Sequence, residues 1–172
     1  MNEMKKIEFK KSFHYLGTVE FSHEILYDLL VTALDSGSTG WYENADYEIP
    51  AENQKVVAEL SGNVYQHYLA PFYGGKLTLE VKATYRRDQN ANCVRIAEDI
   101  PMWNIETKSY EPVTNREGTT WVIREQDLVR GFNLLSARCP RLVSKLIADN
   151  GGAYYGGEDV FLQLVCFGKV IY

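Results

Sequence analysis

Residues 22–37, SHEILYDLLVTALDSG, carry the pattern of an amphipathic helix. Ser22 is a good N-cap, because its hydroxyl accepts a backbone N–H from the first helical turn. Glu24 follows where the positive end of the helix dipole favours an acid. Ile25, Leu26, Leu29, Leu30, Ala33 and Leu34 recur at intervals of three and four, which gathers them on one face of a helix. Gly37 stands where helices commonly end. An amphipathic helix of this kind needs an apolar surface to cover. Gly74-Gly75 turns the chain into Leu77, Leu79, Val81 and Ala83, whose strict alternation describes a half-buried strand.

Residues 5–11 read as a short edge strand whose lysines discourage pairing with other chains. Residues 13–21, aromatic and β-branched around Gly17, predict one strand with a kink or bulge. Residues 36–48, SGSTGWYENADYE, read as a loop, small at first and then aromatic and acidic. Pro50 opens a helical region carried by Val56, Val57, Leu60, Val64, Tyr65, Tyr68 and Leu69. Gly62 divides it and Pro71 ends it. A turn over residues 86–92 and a return strand over 93–97 follow. Residues 101–118 read as irregular, tied down by Trp103, Ile105 and Tyr110. A strand is expected at 119–123, and helices at 127–138, 142–149 and 158–167, the last stopped by Gly168. Strands and helices mix without a βαβ rhythm. The expectation is a single α+β domain over residues 1–172, with a small antiparallel sheet packed against several helices.

Bulk properties agree with one domain. The chain has 172 residues, 45% of them hydrophobic, enough for a core and against general disorder. At this length roughly 70% of the unfolded surface is buried on folding, so no metal or disulfide staple is required. Cys93, Cys139 and Cys166 are few, odd in number and far apart, and read as buried reduced thiols. The N-terminus carries charges throughout and no apolar signal core, and no apolar run approaches the ~20 residues of a membrane span. The expected location is the cytoplasm.

The tests for catalytic chemistry fail. Gly74-Gly75-Lys76 is similar to the end of a phosphate-binding loop, but Ala70 replaces the first glycine and Leu77 the hydroxyl residue. His14, His23 and His67 have no Cys, His or carboxylate partner at a ligand spacing, so no metal is expected. No serine stands in a nucleophile elbow. Glu98-Asp99 and Glu158-Asp159 are adjacent acids, and neighbouring side chains diverge on both strands and helices. Neither pair is an acid/base dyad. The chain is expected to hold no cofactor and no catalytic residue.

Binding is better motivated. The net charge of −5 is unevenly spread. Between Glu20 and Leu60 nine acids (Glu20, Glu24, Asp28, Asp35, Glu43, Asp46, Glu48, Glu52 and Glu59) face one base, Lys55, so this segment carries −8 and the rest +3. A polarised molecule repels nucleic acid on its acidic side and attracts basic surfaces there. Aromatics gather beside glycine in Gly40-Trp41-Tyr42, near Tyr47, and in Gly152-Ala153-Tyr154-Tyr155-Gly156. Two readings follow. In the first, Trp41, Tyr42, Glu43, Asp46, Tyr47 and Glu48 form an acidic, aromatic contact for a protein or ribonucleoprotein with a basic surface, without direct contact to nucleic acid. In the second, Trp41, Tyr154 and Tyr155 stack on a nucleotide while Arg86, Arg87 or Arg130 takes its phosphate. A plain structural alternative stands beside both: the rings pack over the sheet and the acids are solvated. A pI of 5.3 and the absence of a basic motif argue against a DNA-binding factor. A homo-oligomer is compatible with all of these.

A family likeness is carried by DLLVTALDSGSTGWYE (28–43), and by the C-terminal run from Val122-Ile123 through Val129-Arg130-Gly131 and Cys139-Pro140. It continues over Asp159-Val160-Phe161-Leu162-Gln163 and Phe167-Gly168-Lys169-Val170-Ile171-Tyr172. These segments resemble the DIL-x-x-ALEGG-x-x-YW segment and the D-V-x-x-Q-x-x-x-FG-x-V-x-Y ending of small uncharacterised phage and prophage proteins. Ser36-Gly37 stands for the paired glycine, Trp41-Tyr42 reverses the Tyr-Trp order, and residues 50–118 are not covered. The resemblance implies an origin in a mobile element and supplies no catalytic residues. With that origin, the first reading becomes a phage-encoded, anti-CRISPR-like inhibitor that occupies a nucleic-acid-handling host complex in the bacterial cytoplasm.

Overall fold

The computed structural model describes residues 12–15, 19–35, 40–62, 65–82, 101–104, 109–112, 116–117, 120–148, 157–168 and 170. The expected strands at 5–11 and 93–97 and the turn at 86–92 lie outside these residues.

Two strands, β1 (Ser12–Tyr15) and β2 (Val19–Ser22), pair antiparallel, with Ser12 opposite Ser22 and Tyr15 opposite Val19. Residues 13–15 and 19–21 therefore belong to two paired strands and not to one bent strand. Helix α1 (Glu24–Asp35) follows, burying Ile25, Leu26, Leu29, Leu30 and Ala33 as its spacing requires. Next comes strand β3 (Tyr42–Glu48), where a loop was expected. Its polar residues carry little apolar alternation, because the strand lies at a sheet edge and is exposed from Asn44 to Glu48.

Helix α2 (Ala51–Ser61) begins after Pro50 and stops at Gly62, whose φ is +58°. A short helix α3 (Gln66–Leu69) passes directly into a 3-10 turn, Ala70–Tyr73, so Pro71 lies inside the turn and Gly74 closes it. Strand β4 (Lys76–Val81) matches the alternation read from the sequence. Strands β5 (Pro101–Asn104) and β6 (Ser109–Pro112) pair with each other. Strand β7 (Arg116–Glu117) pairs with β8 (Thr120–Ile123). Among the described residues of 101–118 there are thus three short strands where irregular chain was expected; Pro101 at the start of β5 and Pro112 at the end of β6, opposite each other, mask their signal. Helices α4 (Glu125–Arg138), α5 (Pro140–Ala148) and α6 (Glu158–Phe167) complete the chain.

The fold is α+β. Strands β3, β4, β8 and β7 form, in that order, an antiparallel sheet. Leu77 lies opposite Ile123 and Leu79 opposite Trp121, and all four side chains are buried on the face toward the helices. Helix α6 lies against β8, α1 and α4, at the centre of the apolar cluster, with every residue from Phe161 to Phe167 buried. Its approach to α4 is possible because residue 131 is glycine. A Cβ there would stand 2.3 Å from Val165 Cγ2 and 3.1 Å from its Cα, closer than atoms pack. A smaller cluster of Ile49, Val57, Leu69 and Ala70 holds α2 and α3 beside the end of β3.

Candidate functional site

The six expected contact residues all lie on or next to β3, and β3 divides them. Trp41, just before the strand, is 2% exposed. Its ring packs against Phe167 at 5.0 Å and Tyr42 at 5.4 Å, and its Nε1–H donates to Asp159 Oδ1 at 2.9 Å. The expectation of an exposed Trp41 anchor is corrected: the indole is a core residue, drawn inward by apolar area and by a polar partner for its one donor. Asp159 also accepts from Gln163 Nε2 at 2.8 Å, so this acid at the start of α6 is occupied by the fold. Tyr42 is half-buried and its hydroxyl donates to the Leu34 carbonyl at 3.1 Å, fastening β3 to the end of α1.

Beyond Tyr42 the strand turns outward. Residues directly opposite each other in an antiparallel pair share a face of the sheet. Glu43 lies opposite Glu80, Asp46 opposite Thr78 and Glu48 opposite Lys76. All three acids therefore share the face of Lys76, Thr78 and Glu80, away from buried Leu77 and Leu79. In a regular strand Glu43 would point opposite to Asp46 and Glu48, because side chains alternate. A register shift between Glu43 and Asp46 adds one residue and restores the alignment. Asn44 bears the local distortion. It has φ +52°, the one positive φ at a non-glycine residue among the described residues, and asparagine tolerates that region better than most side chains.

The electrostatics of this face are incompletely balanced. Glu48 Oε2 accepts from Lys76 Nζ at 3.1 Å. Asn44 Nδ2 donates to Glu80 Oε2 at 3.1 Å, easing the juxtaposition of Glu80 and Glu43. Asp46 Oδ1 accepts from the Tyr47 amide at 2.8 Å. Among the described residues no base pairs with Glu43 or Asp46. The strand sits close to the next turn: a Cβ at Gly75 would lie 2.0 Å from the Glu48 carbonyl oxygen, so glycine there is a steric requirement.

Tyr47 projects from the other side of the strand, in register with Leu77, but at the rim rather than under it, and is 41% exposed. Its hydroxyl donates to Gln66 Oε1 at 3.1 Å, and its ring centroid lies 6.2 Å from that of His67. His67 lies 3.7 Å from Tyr68, and Tyr68 is stacked with Tyr65 at 5.8 Å. The Tyr68 hydroxyl donates to the exposed carboxylate of Asp35, at the end of α1. Burial first, and the bond to Asp35 second, hold the Tyr68 phenol well above its ordinary pKa. Desolvation lowers the His67 pKa, with Asp35 opposing, which favours the neutral ring. Tyr65, His67, Tyr68 and Asp35 were not expected at the site. The aromatic content of residues 65–73 was visible, but its tertiary neighbour β3 was not.

The nucleotide alternative loses two of its residues. Trp41 is inside the core, and Arg130 is committed: its Nη2 donates to buried Asp127 Oδ1 at 2.7 Å and approaches the Val165 carbonyl at 3.5 Å. Burial pushes the Asp127 carboxyl up and the Arg130 guanidinium down, and each opposes the shift in the other. Asp127 also accepts the Arg124 amide at 2.9 Å and so caps α4. Cys166 is buried and its thiol pKa is raised by burial, as expected of a structural cysteine. Tyr154, Tyr155, Arg86 and Arg87 lie outside the described residues. Among the described residues no group of three His, Cys, Asp or Glu side chains could hold a metal ion, and no helix is long and apolar enough to cross a membrane.

The chain matches no family model, no curated protein and no solved structure. The functional reading therefore rests on the geometry.

Proposed function

We propose that this protein is a non-catalytic binding protein that docks a positively charged partner on the acidic face of strand β3. One observation carries the reading: the irregular register of β3 puts Glu43, Asp46 and Glu48 on one side of an edge strand. Lys76, bonded to Glu48, is the one base paired with them among the described residues. Carboxylates on a common face reinforce one another's field, steer a basic surface toward it and select against acidic partners. The competing explanation is that acids guard the edge against aggregation. Edge protection asks only for charge somewhere on the strand; it does not require all three acids on one side.

The finer reading is inhibition of a host nucleic-acid-handling complex of the kind that anti-CRISPR proteins target. It draws on the phage-like chain ends and on the ability of an acidic face to occupy a channel built for phosphates. A fluorescein-labelled oligo-lysine peptide, followed by anisotropy, tests the general form. Replacing Glu43, Asp46 and Glu48 together by lysine should weaken binding by about tenfold or more at low salt, with a shallower salt dependence. Unchanged affinity and unchanged salt dependence would remove the basis of the proposal.

A further inference from the structure

The acids of β3 explain attraction to positive charge but not discrimination among positive groups. The rings beside β3 supply that. Tyr47, His67, Tyr68 and Tyr65 form an unbroken row from the exposed rim of the sheet to α3, with successive centroids 6.2, 3.7 and 5.8 Å apart. Tyr47 is 41% exposed, and Tyr65 and His67 are half-buried, so ring surface is open to a partner. Aromatic faces carry negative potential and attract cations lying over them. Desolvation favours the neutral His67 ring, which does not repel them.

A formal charge completes the row. Asp35 binds Tyr68 through the phenol hydroxyl and acts electrostatically on His67. Among the described residues no base pairs with Asp35, and α1, which ends on it, contains neither lysine nor arginine. Rings and carboxylate together suit a flat cation better than a compact one. A guanidinium stacks on aromatic planes and is weakly hydrated, whereas an ammonium keeps its water.

Accepting the acidic docking face just proposed, we infer that the Tyr47–His67 rim is an arginine-selective subsite, where a guanidinium of the basic partner stacks on the rings and faces Asp35. Arginine supplies the specificity, and the acids on the opposite side of β3 supply general attraction.

Labelled oligo-arginine and oligo-lysine peptides of equal length test this against wild type, Tyr47→Phe, Tyr47→Leu and the Glu43→Gln/Asp46→Asn/Glu48→Gln protein. Wild type should bind oligo-arginine about fivefold or more tighter than oligo-lysine. Tyr47→Phe should keep that ratio, and Tyr47→Leu should bring it close to one while oligo-lysine binding is retained. The acid variant should lose affinity for both peptides with the ratio unchanged. A wild-type protein without arginine preference, or a Tyr47→Leu protein that keeps it, overturns the subsite; loss of oligo-lysine binding in the acid variant would still uphold the docking face. If wild type binds neither peptide, both fall.

Discussion

Trp41 and Tyr47 stand six positions apart on one short stretch and end in opposite environments. Trp41 is 2% exposed, between Phe167 and Tyr42, with its indole N–H on Asp159. Tyr47 is 41% exposed, its hydroxyl on Gln66 at the rim of the sheet. At the amino-terminal end of β3, α6 and α1 enclose Trp41 and hold Tyr42, whereas at the carboxyl-terminal end α3 meets Tyr47 only at its rim, through Gln66 and His67. An aromatic beside glycine and acids thus says little about exposure. What decides is how deeply the neighbouring helix covers the ring: α6, from the far end of the chain, buries Trp41, and α3 leaves Tyr47 41% exposed.

The largest effect is expected at Trp41. Trp41→Ala should destabilise the protein by about 3–5 kcal/mol in urea unfolding, since it removes a core ring and leaves Asp159 short of a donor. Tyr47→Ala should cost under ~0.5 kcal/mol in the same experiment, as expected of a rim residue. Equal costs would mean that the two ends of β3 do not differ as described.

Asn44 bears the distortion between the two ends. Asn44→Gly should preserve the positive φ and leave stability nearly unchanged, whereas Asn44→Val should cost roughly 1–2 kcal/mol, because a β-branched residue is strained there. The valine protein should also lose affinity for a basic peptide although its net charge is the same. Retained affinity would separate the acidic face from the bulge.

A smaller effect comes from α1. Asp28 is half-buried, and its carboxyl is pushed up to about 6 by burial first and by Glu24 second. A pKa raised above the ordinary 3.8 favours the protonated form in the folded protein. The resulting stabilisation is full below the unfolded value and is lost as pH rises through about 6. Asp28→Asn should therefore stabilise the protein near neutral pH by about 1 kcal/mol, discounted because the group is half in water, and by little in acid. A variant equally stabilised at both ends of this range would contradict the assignment.

The helices were legible because their signals are local. The apolar spacing of α1, the alternation of Leu77 and Leu79, and the stop at Gly168 all sit within a few residues of the structure they cause. Strand β3 was not legible, since an exposed edge strand buries too little for alternation to show, and its register is set by β4. The acids were found by counting charge, but their common face was hidden: Glu43 is an odd number of residues from Asp46, and only the bulge brings the two together. The aromatic row was missed for a related reason. Tyr47 and His67 belong to different elements, and no spacing rule joins them.

On the proposed function, the position of the acids on β3, and not the acidity of the chain, governs attraction to a basic partner. Two doubly neutralised proteins with the same net charge test it: Glu43→Gln/Asp46→Asn on the strand, and Glu52→Gln/Glu59→Gln on the exposed side of α2. In titrations with oligo-lysine at low salt, the strand variant should bind about fivefold or more weakly than wild type, and the helix variant should stay within about twofold of it. Equal losses in the two proteins would show that net charge alone, and not the face of β3, sets the attraction.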